Sequence, residues 1–213
     1  MVTYIALILT ALFWGLSFIG TKIALASFSP FVCVFLRFSL ASLFFLFILW
    51  KKGLLKLDIK DHKEMFMLAL FQPGLYFTFE TIGLTYTSAS EASIILGMVP
   101  LAVMILARFL LGENITPRNL IGIFLSIMGI GILVLGAPGF NPALGGSFFG
   151  DILIIGAVIA AAFYMVYARD LGKRFSAIQI TGFQVIYGTV IFAPLFLIKV
   201  AQVQWSAVTW QSL

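Results

Sequence analysis

The strongest constraint on this chain is a succession of long apolar segments, near residues 2–21, 30–50, 65–86, 89–111, 119–136, 150–168 and 177–198, separated by short polar stretches. A bilayer core about 30 Å thick takes roughly 20 apolar residues per helix, so each segment is long enough to cross it. A soluble fold could not hide this surface: 62% of the 213 residues are hydrophobic and only 10% are charged, against about 25% charged in soluble domains. Lipid offers no partner to backbone N–H and C=O groups, and the two-residue alternation of barrel strands is absent. The expected fold is an all-α polytopic membrane protein with seven transmembrane helices.

Lys and Arg set the orientation, because short cytoplasmic loops collect them. The connection after the second segment carries Lys51, Lys52, Lys56, Lys60 and Lys63; Arg108 and Arg118 flank the one after the fourth; Arg169, Lys173 and Arg174 lie after the sixth. The opposite side has only Lys22 and Lys199, with Arg37 left inside a segment. This predicts a multi-pass protein of the plasma (inner) membrane with a cytoplasmic N-terminus and the tail 200–213 outside. The net charge of +5 then belongs to topology and calls for no nucleic-acid partner. Cys33 is the single cysteine, which excludes an intrachain disulfide framework. Met1–Gly20 lacks the basic region of a cleaved signal and reads as the first span.

A weak internal repeat emerges once the spans are numbered. Phe13-Trp14 followed by Phe28-Ser29-Pro30 echoes Phe163-Tyr164 followed by Phe175-Ser176-Ala177, and sets Arg37 in register with Gln184. Five crossings separate the first span from the sixth, so equivalent segments run in opposite directions, as in secondary transporters built from inverted repeats. The glycines and prolines of 136–150 mark a linker. Residues 1–136 are expected to form a five-helix repeat, 137–149 an external linker, and 150–213 the first two helices of an inverted second repeat. On that expectation the second repeat lacks about three helices.

Ionisable residues are costly inside a membrane and mark functional sites or buried partners. At about 1.5 Å per residue, Arg37 lies roughly 10 Å and Glu80 roughly 9 Å inward from the outer side. Their common depth predicts a pair lining an outer-half cavity; a structural ion pair, or two side chains snorkelling to the surface, fits the same spacing. Gln72-Pro73-Gly74 and Pro100 interrupt backbone hydrogen bonds within the membrane, either as static kinks or as gating elements. Trp14, Phe13, Tyr76 and Phe79 could line a wall for an amphipathic solute, although with 23 phenylalanines simple packing explains them equally well. The candidate substrate-binding residues are Trp14, Arg37, Gln72, Tyr76, Glu80 and Pro100. In the fifth span Gly122, Ser126, Gly129, Gly131 and Gly136 form a small-residue face suited to close packing or a homodimer.

Enzyme chemistry finds no support. Gly15–Lys22 transposes the Lys and hydroxyl residue of a phosphate-binding loop and lies in an apolar span. His62 is the single histidine, so no zinc site or other cofactor is implied.

Several runs carry a family resemblance: Ala11-Leu-Phe-Trp-Gly-Leu-Ser-Phe-Ile-Gly-Thr-Lys22, Arg37-Phe38, Tyr86-Thr-Ser-Ala-Ser-Glu-Ala92, Pro100, and Leu111-Gly-Glu-Asn-Ile-Thr116. Together they resemble the EamA-type branch of the drug/metabolite transporter superfamily. The resemblance implies ten helices in two inverted five-helix repeats around a central cavity, with the bilayer and a small-molecule solute as partners. The chain departs from that pattern by ending after its seventh span. The expected function is secondary transport, exporting small metabolites, amino acids or drugs by alternating access, with Glu80 as candidate proton carrier. The alternative is a truncated non-transporting membrane module or assembly subunit.

Overall fold

A computed structural model describes residues 28–84, 86–87, 89–135 and 148–201, together with positions 4, 5, 8, 9, 12, 13 and 24. Trp14, Lys22, Gly136 and most of the expected linker and tail lie outside the described residues. All regular structure among the described residues is helical. Helix α1 is Pro30–Lys51 and α2 is Ile59–Ala69; a π-helical turn over Leu70–Leu75 leads into α3, Tyr76–Gly83. Then follow α4 (Ala89–Leu96), α5 (Val99–Leu111), α6 (Pro117–Leu135), α7 (Phe148–Leu171) and α8 (Ala177–Val200). Four stretches, Pro30–Lys51, Ile94–Leu111, Phe148–Leu171 and Ala177–Val200, are long and apolar enough to cross a membrane by length and composition.

Three boundaries differ from the hydropathy reading. Helix α2 begins at Ile59 rather than near 65, with Asp58 as its extended N-cap and Asp61 in its first turn, where a carboxylate complements the helix dipole. The polar start of α2 is held from the α7–α8 connection, where Arg174 pairs with Glu64 and, at 3.6 Å, with Asp61. The third apolar segment is not one straight helix, because Gln72 leaves helical geometry at φ −144°, ψ 119°. The fourth is also broken: α4 stops at Leu96 and α5 starts at Val99, with Pro100 in its first turn. There Pro gives up an N–H that has no helical acceptor in any case.

Helices α1 and α8 pack antiparallel, and their contacts are reciprocal. Both helices start directly after an extended serine, Ser29 and Ser176. Ser176 completes a capping box with Gln179, each side chain accepting from the other residue's backbone N–H at 3.3 Å. These two caps have the sequence separation of Ser42 and Thr189, 147 positions, whose hydroxyls meet at 2.7 Å in mid-interface. On either side, Phe35 stacks on Phe196 at 4.2 Å, and Leu49 lies 2.9 Å from where Gly182 would carry a Cβ. Residues 35 and 182, and 49 and 196, again differ by that separation, so the two flanking contacts use equivalent positions with the helices exchanged.

The lower ends of α1, α2, α7 and α8 close on a buried cluster of Leu49, Met65, Leu68, Leu171, Ile180 and Phe183. His62 Nδ1 meets Tyr187 Oη at 2.7 Å beside it, so His62 belongs to a helix contact rather than a loose loop. Helix α3 packs on α7 through small residues: Gly83 faces Ile154, and Gly150 lies against the backbone of Tyr86 and Thr87. Helix α6 exposes Leu120, Ile121, Phe124, Leu125, Met128 and Ile132, a surface suited to acyl chains.

Candidate functional site

The bend between α2 and α3 organises the polar groups inside the spans. Pro73 has no N–H, and Gln72 is extended, so the helical hydrogen-bond ladder is interrupted here. An unpartnered backbone carbonyl in hydrocarbon costs several kcal/mol, and α8 supplies the missing donor. Gln184 Nε2 donates to the Gln72 carbonyl at 3.0 Å, while Tyr164 Oη of α7 donates to Gln184 Oε1 at 3.0 Å. Gln184 is only 9% exposed, so both of its amide ends are satisfied within protein. The approach of α8 depends on Gly188, whose Cβ would sit 2.6 Å from Pro73 Cγ. One turn beyond the bend, Thr78 Oγ1 donates to the Gly74 carbonyl at 2.7 Å.

Helix α3 then carries the carboxylate. Tyr76 Oη donates to Glu80 Oε1 at 2.9 Å, the i,i+4 geometry that puts both on one helix face. The ring of Phe77 meets Tyr76 edge-on at 5.2 Å and Phe38 of α1 at 5.8 Å, which ties α3 to the helix bearing Arg37. The expected direct Arg37–Glu80 ion pair does not form, and among the described residues Arg37 has no ion-pair partner. Tyr76 takes the place at the carboxylate that Arg37 was expected to fill.

Of the six residues predicted from sequence, Gln72, Tyr76 and Glu80 therefore lie along the bend and the helix that follows it, Gln72 through its backbone carbonyl, while Arg37 is exposed on α1 next to the Phe38 that meets Phe77. Pro100 does not join them: it lines a separate cleft of about 680 Å³ between α5, α6 and α7. Trp14 lies outside the described residues. Phe79 packs over Gly156 of α7, 3.2 Å from where its Cβ would be, while Tyr76 engages Glu80, so the two rings serve different contacts. Sequence reasoning passed over Gln184 and Tyr164 as site residues. The signal was present in the repeat, which aligns Gln184 with Arg37 and sets Tyr164 in the echo of Trp14.

A family model described as the EamA-like transporter family matches residues 1–135. An uncharacterized transporter of Archaeoglobus fulgidus is 29% identical over 193 residues, covering 90% of this chain and 66% of the relative. The uncharacterized transporter YcxC of Bacillus subtilis is 33% identical, with 92% and 62% covered. A second Archaeoglobus fulgidus transporter, also uncharacterized, is 32% identical, with 92% and 68% covered. The chain thus spans about two thirds of the length of these relatives. No solved structure matches it significantly.

Proposed function

The chain belongs to the EamA-like transporter family, and from that premise we propose that it exports a small organic solute across the plasma membrane by alternating access. The solute class is a metabolite, amino acid or drug that carries polar groups on an apolar body. In this reading the chain crosses seven times from a cytoplasmic N-terminus, with a five-helix unit over 1–136 and an inverted unit from 150 onward. The reciprocal α1–α8 contacts support the inversion, because equivalent helices related by an axis in the membrane plane must pack antiparallel and meet their own counterparts.

The observation that carries the proposal is the polar set at the bend. The Gln72 carbonyl is held by Gln184, a side chain of the second unit, so relative movement of the units and geometry of the bend are coupled. On the following helix Glu80 accepts from Tyr76, and Arg37 of α1 has no ion-pair partner among the described residues, which leaves its guanidinium available to a solute anion. Charged groups within spans are retained where they serve a pathway or a relay.

The test is Glu80→Gln, assayed by efflux of labelled amino acids and amphipathic dyes from cells expressing the protein. The glutamine amide oxygen can still accept from Tyr76, so the fold is kept. Efflux is expected to fall by about tenfold or more, worth at least ~1.4 kcal/mol in the transport barrier. Unchanged efflux from a correctly folded variant would remove Glu80 from the mechanism.

A further inference from the structure

We propose that the cleft between α5, α6 and α7 is a binding site for an anionic phospholipid, distinct from the polar site at the bend. The cleft holds about 680 Å³, within the range of small-ligand sites. Its two ends differ in chemistry. At one end lie Arg118, Arg169, Asn114 and Asn119; the walls toward the other are Val99, Val103, Met104 and Ile123.

The basic end is built to receive one negative charge. Arg169 Nη1 pairs with Glu113 Oε1 at 2.5 Å yet its side chain remains 64% exposed, so further N–H groups stay free. Arg108 Nη1 donates to the Glu113 carbonyl at 3.3 Å and to Asn114 Oδ1 at 3.1 Å, which holds this corner in place. Arg118 has neither a hydrogen bond nor an ion pair among the described residues. With Glu113 matched to Arg169, the lining keeps one uncompensated cation, the complement of a phosphodiester.

The rest of the cleft suits an acyl chain. Arg118 and Ser126 both line it, and the intervening stretch of α6 carries it about 12 Å into the span. The outer face of α6 is apolar and exposed, with Leu120, Ile121, Phe124 and Leu125 between 48% and 63% accessible, so an occupant enters sideways from the bilayer. A water-soluble anion has no use for walls of Val, Met and Ile, and an apolar helix from a second copy would leave Arg118 unmatched. Basic pockets between spanning helices on the cytoplasmic side are where anionic headgroups bind, and Arg108, Arg118 and Arg169 belong to connections that the charge pattern assigns to that side.

Native mass spectrometry of the full chain in detergent, with added phosphatidylglycerol or phosphatidylcholine, tests this. Phosphatidylglycerol occupancy should exceed that of phosphatidylcholine by about fivefold, and Arg118→Gln should abolish the difference, since one basic residue at a membrane surface contributes about that factor. Gly122→Leu provides the steric arm: a Cβ at 122 meets nothing within 4 Å, so the variant folds and fills the cleft, lowering binding of both lipids. Equal occupancy by the two lipids in the wild type overturns the proposal whether or not the variants fold. So does displacement of phosphatidylglycerol by inorganic phosphate, which identifies a soluble anion as the occupant. A Gly122→Leu variant that loses a dimer while its lipid binding is unchanged assigns the cleft to a second copy and overturns it as well.

Discussion

Gly188→Ala probes the contact on which the bend rests. The added methyl would lie 2.6 Å from Pro73 Cγ and 3.1 Å from Phe38 Cδ1, the first about 0.8 Å short of the 3.4 Å at which ordinary contact begins. Neither neighbour yields easily: Pro73 is a fully buried ring, and Phe38 is stacked against Phe192 at 6.2 Å and edge-on to Phe77 at 5.8 Å. Overpacking of this kind costs about 1–3 kcal/mol. At roughly 2–4 °C per kcal/mol for a chain of this size, the apparent Tm should fall by about 2–12 °C. The control is Gly129→Ala, where a Cβ meets nothing within 4 Å and replacement of a mid-helix glycine removes a penalty of about 0.5–1 kcal/mol. Tryptophan-fluorescence melts of detergent-purified protein, at one scan rate because unfolding of such proteins is commonly irreversible, compare the three. If Gly188→Ala melts with the wild type while Gly129→Ala melts lower, α8 does not rest on Pro73 as described, and the coupling through Gln184 loses its footing.

Two further substitutions divide the polar set. Gln184→Leu strands the Gln72 carbonyl and the Tyr164 hydroxyl, each left unpaired at about 1–3 kcal/mol; a clear fall in Tm is expected, and a variant as stable as wild type would mean that water satisfies the bend instead. Tyr76→Phe removes a single hydrogen bond to Glu80 and should cost only about 0.6 kcal/mol, the average for such bonds within membranes; a collapse of the folded yield would assign Tyr76 a packing role larger than its contacts indicate.

Among the described residues the long apolar helices were legible in the sequence, because apolar length is what lipid demands and hydropathy measures it directly. Continuity of the backbone ladder is a different property, and there the same measure failed. Residues 59–64 are too polar to register as a span, yet their charges are those that pair with Arg174, so the helix extends beyond the apolar run. Pro100 drew attention as a helix breaker, whereas the break falls before it, at Gly97–Met98, and the proline starts a new helix where its missing N–H costs nothing. Around the bend, equal depth along the helices suggested a pair of Arg37 and Glu80, but depth alone does not say which side chain touches the carboxylate. The i,i+4 spacing of Tyr76 and Glu80 contained that answer. Gln184 was reachable only through the repeat, since a lone glutamine in an apolar helix has no local pattern to distinguish it.

The hydroxyl pair Ser42–Thr189 has a mechanical consequence. Points on a rotation axis are not displaced by rotation about it, and this pair of equivalent residues sits where the reciprocal contacts of α1 and α8 cross over. Were α1 and α8 to rock about that axis, the 2.7 Å contact would be the fulcrum, with Phe35–Phe196 and Leu49–Gly182 on opposite lever arms. Small hydroxyl residues suit such a pivot, because they anchor two helices without the interlocked bulk that would jam them.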